Sequence, residues 1–157
     1  MIESVRSRYF PNVPGPIPAL FSTHKALACC WTSPGYPLVH IHHVLNHPQT
    51  PREVIEFICK HELLHFVIPP RIVGKTAKSH PPEFWVQEQR IAPESRLVWA
   101  WLHYNIGACL KARPRLEQLD VTSEWRKLEL SPRSAWTPAD LSSGLEGQDD
   151  LALHSLI

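Results

Sequence analysis

Apolar and polar positions divide the chain into segments of different period. Between Arg52 and Phe66 apolar side chains fall at Val54, Ile55, Phe57, Ile58, Leu63, Leu64 and Phe66. That broad coverage predicts a helix crossing a core rather than lying on its surface. Thr50-Pro51-Arg52-Glu53 reads as the helix start, with Thr50 as N-cap, Pro51 in the first helical position and Glu53 closing a capping box. Pro69-Pro70 ends it. Upstream, residues 25–32 and 36–44 read as two strands joined at Ser33-Pro34-Gly35. Residues 1–20, with Pro11, Pro14, Pro16 and Pro18, predict an extended segment that packs along the surface or stays partly disordered.

Downstream, Pro82-Glu83-Phe84-Trp85 reads as a loop entering a helix anchored by Phe84 and Trp85. Residues 94–111, rich in Leu, Val, Ile and Trp, predict a further apolar helix packed on the first. From Ser131 the composition turns to Ser, Pro, Gly and acid, with Asp140, Glu146, Asp149 and Asp150 in a flexible tail. The expected architecture is α+β: one domain over residues 21–130, a Pro-rich segment before it (1–20) and an acidic tail after it (131–157). Short antiparallel strands precede the central helix, and packing helices follow it.

That helix carries His61-Glu62-Leu63-Leu64-His65 in its later turns. Helical residues four apart differ by about 40° in azimuth and roughly 6 Å in rise. Both imidazoles can therefore reach one metal ion, with Glu62 projecting beside them. This H-E-x-x-H pattern is the zinc-protease arrangement, in which two ligands come from one helical turn and a carboxylate serves as general base. A His pair on a core helix needs a reason, because histidine is only intermediate in its preference for burial. A catalytic zinc takes three protein ligands and leaves one position for water. The segment Ser79-His80-Pro81-Pro82-Glu83-Phe84-Trp85 offers His80 as the third, with Glu83 as its rival.

His61-Glu62-Leu63-Leu64-His65, then His80-Pro81-Pro82-Glu83-Phe84-Trp85 after fourteen intervening residues, resembles the SprT-like zinc metallopeptidase domain and its YgjP/WLM relatives. Those proteins carry H-E-[aliphatic]-x-H followed by H-[GS]-x-x-F-[WC]. The resemblance covers roughly residues 20 to 90. It implies a small zincin-like fold, Zn2+ held by His61, His65 and His80, and Glu62 as catalytic base. Pro81 departs from the pattern, standing where the family commonly has Gly or Ser, and stiffens the approach of His80. No Cys-rich zinc ribbon follows in this sequence.

At 157 residues, 43% hydrophobic and 20% charged, the chain has the composition of an ordinary globular domain. Its net charge of +1, with no basic stripe interleaved with aromatics, lends no support to nucleic-acid binding. No segment is long and apolar enough to span a membrane, and Met1 to Gly15 lacks an apolar signal core, so a cytoplasmic location is expected. Cys29, Cys30, Cys59 and Cys109 show no ligand spacing and read as small buried hydrophobes.

Leu38-Val39-His40-Ile41-His42-His43 is the candidate strand for pairing with an extended polypeptide substrate by β-augmentation. Its histidines, with His24 and His47, read as hydrogen-bonded or solvated rather than as a second metal site. Trp99 and Trp101 are expected mainly in the core, with a groove-lining role as the other option. His103 and Tyr104 are candidate donors to an oxyanion. Two functions follow: a zinc-dependent peptidase, or alternatively a non-catalytic, zinc-stabilised protein-binding module on the same fold.

Overall fold

Helix α2, Arg52–Leu64, runs through the middle of the core, with Val54, Phe57, Leu63 and Leu64 at most 1% exposed. The computed structural model describes residues 1–33, 35–74, 76–112, 119–129 and 131–133, and its architecture is α+β. The helix starts later than its capping signals indicate. The Thr50 hydroxyl accepts a hydrogen bond from Arg133 Nη1 at 2.7 Å, so Pro51 takes the N-cap position with no side-chain cap. Its last helical residue is Leu64, and His65 is the C-cap, still in right-handed conformation.

Strands β2 (Ala28–Trp31) and β3 (Leu38–His42) pair antiparallel, with Cys29 opposite His40. Gly35 turns the chain between them at φ 96°, a conformation costly for any residue with a Cβ. A third strand, β1 (Ala19–Ser22), pairs parallel to β3, so the sheet order is β1-β3-β2. Leu38–His42 is therefore the central strand, hydrogen-bonded on both sides. It is not the open edge that a substrate could join. Val39 and Ile41 point from it into the core.

The N-terminal segment is neither extended along the surface nor disordered. Ile2–Tyr9 forms α1, packed on α2, and Val5, Phe10, Val13 and Ile17 are buried in the same core. Glu3 organises this region: one carboxylate oxygen takes Arg6 Nε at 2.9 Å and the other takes the Ile17 N–H at 2.8 Å. A Cβ at Gly15 would stand 2.7 Å from Arg6 Nε, so a larger residue there would displace the Arg6 side chain.

After α2, the polar loop is in fact a hairpin, β4 (Arg71–Val73) and β5 (Thr76–Lys78), turning at Gly74 with φ 63°. Helix α3, Pro82–Ile91, starts on Pro82 and buries Phe84 completely. Helix α4, Ser95–Ile106, is shorter than its apolar pattern. It tightens into a 3-10 turn at Gly107–Cys109. Strand β6 (Leu110–Ala112) follows, antiparallel to β7 (Leu119–Val121). These backbone ladder bonds, with Thr122 N–H to the Cys109 carbonyl at 2.7 Å, replace the helical ones.

A 3-10 helix at Ser123–Leu128 presses Trp125 edge-on against His42, ring centroids 4.9 Å apart. The expected tail begins as packed structure. Arg133 is 7% exposed and donates to Thr50 and to the Val44 carbonyl. Asp140, Glu146, Asp149 and Asp150 lie outside the described residues. Among those described, no helix is long and apolar enough to cross a membrane.

Candidate metal centre

Helix α2 presents Ile58, His61, Glu62 and His65 to a single cleft, the stripe that three- and four-residue spacing produces on a helix. The hairpin of β4 and β5, with Pro81, brings His80 back over this stripe, and the rings meet. His80 Nε2 lies 3.0 Å from His61 Nε2 and 3.1 Å from His65 Nε2, with all three residues 8% exposed. This is the one His/Cys/Asp/Glu cluster of metal-holding geometry among the described residues.

The donor set fits zinc. Tetrahedral coordination at the usual Zn–N length separates ligand nitrogens by about 3.3 Å, a few tenths of an ångström from the spacing here. His61 Nδ1 lies 2.6 Å from Glu88 Oε1, which places the ring proton on Nδ1 and the lone pair of Nε2 on the cluster side. One shared proton can serve a single pair of converging nitrogens. A divalent cation serves all three.

Electrostatics keep two of the rings neutral. Burial, reinforced by His61, pushes His65 down to about 3, and burial with both neighbouring histidines pushes His80 down to about 2. Burial also opposes charge on His61, but the Glu88 hydrogen bond and the Glu62 and Glu88 charges outweigh it, so its pKa is raised. Glu62 is 4% exposed, and burial raises its carboxyl above the ordinary range despite the neighbouring His61.

The cleft has a volume of about 500 Å³. Its opposite wall is β2, whose Ala28, Cys29 and Cys30 line the cleft, with Trp99, Pro70 and Ser79 completing the lining. Leu27 C=O accepts from His42 N–H at 2.8 Å. Antiparallel alternation then directs the backbone groups of Cys29 and Trp31 toward β3, and those of Ala28 and Cys30 toward the open edge. The strand available to a partner at this cleft is β2.

Other expected residues stand elsewhere. Glu83 pairs with Arg71 at 2.6 Å, outside the histidine cluster. Tyr104 is 72% exposed, and neither it nor His103 lines the cleft. Trp99 lines the cleft while Trp101 is fully buried. His40 contacts Ser22 Oγ at 3.2 Å, and His42 accepts from Val44 N–H at 2.9 Å, so both are engaged in the sheet.

Two residues of the site were missed from sequence. Glu88 had a signal: it lies four after the core-anchoring Phe84, which places a carboxylate on the buried face of α3. Cys30, which lines the cleft from a different element, had none. Cys29 and Cys30 are only half-buried and line the cleft, Cys30 also packing against the core, whereas Cys59 and Cys109 are buried as expected. Comparison of the chain with protein-family models, with curated proteins and with solved structures yields no match.

Proposed function

We propose that this chain is a zinc-dependent peptidase with a zincin-like site of the SprT-like kind. The observation that carries the reading is the convergence of three Nε2 atoms beside a buried glutamate in an open cleft. His61, His65 and His80 would hold the ion. A bound Zn2+ supplies Lewis acidity, polarising a peptide carbonyl and acidifying water. Glu62 takes the proton from the attacking water and returns it to the departing amine. Glu88 holds the His61 ring by its Nδ1 side. The outward backbone groups of Ala28 and Cys30 would pair with an extended polypeptide, which places main-chain recognition on β2.

The volume of the cleft supports turnover over the non-catalytic zinc-stabilised module. It is many times the roughly 30 Å³ that one water occupies, whereas a purely structural site is closed by its ligands. The test is inhibition by a small hydroxamate. Zinc-loaded protein should cleave an unfolded polypeptide, and the hydroxamate should stop it. Binding of polypeptide without any cleavage would favour the module.

A further inference from the structure

Two apolar side chains adjoin His61 in the lining of the cleft. Ile58 stands one turn earlier on the same stripe of α2. Trp99 reaches the cleft from α4, its ring edge-on to the His61 ring with centroids 6.5 Å apart. The indole also packs edge-on against the fully buried Phe57, 5.6 Å away, which fixes its position. Trp101 on the same helix is fully buried, whereas Trp99 keeps part of its surface open to the cleft. The charges Lys25 and Asp120 also line the cleft, but they answer each other at 3.5 Å.

An extended chain paired with the outward backbone groups of Ala28 and Cys30 would add a strand to the sheet. Consecutive side chains of a strand point to opposite faces. Of the two residues flanking a peptide bond, only one therefore faces α2, the helix on which β2 packs. We propose that Ile58 and Trp99 form an apolar subsite beside His61, which takes one large hydrophobic side chain of the polypeptide, aromatic or branched, next to the bond that is cut. A charged side chain there would give up its water to two hydrocarbon walls without a partner in return. The residue on the other side of the bond points away from α2 and is not selected by this subsite. The selection rests on the peptidase reading, which it deepens by naming the side chain the cleft prefers.

The probes are short peptides of glycine and serine carrying one phenylalanine, and twins with aspartate in its place. Zinc-loaded wild type should cut the phenylalanine peptide on one side of that residue only, with kcat/KM at least about tenfold above the twin. Trp99→Ala should keep its zinc and lower that ratio about tenfold, whereas Trp99→Phe should keep most of it. Where the alanine variant does not fold, Trp99→Gln, which fills more of the space with a polar amide, carries the same expectation. A ratio that stays at the wild-type value in a folded, zinc-loaded Trp99→Ala would overturn the proposal, since loss of packing alone slows both peptides alike. So would a wild type that does not distinguish them. A wild type that cuts neither peptide sinks the peptidase reading, and equilibrium binding then decides the subsite. The phenylalanine peptide should bind about tenfold tighter than its twin, and Trp99→Ala should abolish the difference. Equal binding of the two by wild type would overturn the subsite as well.

Discussion

His61 Nδ1 and Glu88 Oε1 lie 2.6 Å apart, with the glutamate 3% exposed on α3. This pair fixes the tautomer of the first histidine of the motif and aims its other nitrogen at His80. It also joins α2 to α3, the helix that immediately follows His80, so that the ligand set and its support share one packing interface.

Losing the Glu88 carboxylate should therefore loosen the metal without removing a ligand. Glu88→Ala is expected to weaken zinc binding by about 10- to 100-fold, the usual cost of a missing partner to a ligating histidine. Glu88→Gln, whose amide oxygen can still accept from Nδ1, should weaken it less. Competition against a chelator of known affinity reads both.

His80 and Glu83 separate cleanly. His80→Ala should lower zinc affinity by at least about a hundredfold, since two histidines remain where three are needed. Glu83→Ala removes only the partner of Arg71 and should change affinity by no more than about twofold. The reverse order in a titration would move the third ligand to Glu83.

Away from the histidine cluster, His42 is 2% exposed, and burial, helped by His43 and His24, pushes its pKa down to about 4. The unfolded chain takes up this proton near pH 6.5 and the folded chain only near 4. Above pH 6.5 the residue costs nothing. As pH falls from 6.5 to 4 its contribution turns against folding, and below 4 the penalty is constant. The slope is at most about 1.4 kcal/mol per pH unit for one proton. His42→Asn can keep the Val44 N–H bond and does not titrate. Denaturant unfolding of the metal-free protein across this range should be less pH-dependent in the variant than in wild type.

Much of the site was readable because it is local. His61, Glu62 and His65 occupy one turn of a helix whose apolar pattern is unambiguous, and the need for another ligand drew attention to His80. What escaped reading was non-local. Thr50 has the chemistry of an N-cap, but Arg133, far along the chain, takes its hydroxyl and the helix begins later. Leu38–His42 alternates as a strand, yet no local pattern shows that Ala19–Ser22 will cover one side and make it central. The cleft-facing role therefore passes to β2, whose Ala28, Cys29 and Cys30 line it. Residues 94–111 read as one helix because their apolar content is continuous. The pairing of Leu110–Ala112 with Leu119–Val121 ends it.

The most direct test of the peptidase account is Glu62→Gln beside wild type, both assayed for zinc and then given an unfolded polypeptide. The account predicts about one zinc in each and a loss of cleavage of at least about a hundredfold in the variant, the lower range of general-base contributions. A Glu62→Gln protein that keeps its zinc and cleaves at the wild-type rate would contradict it.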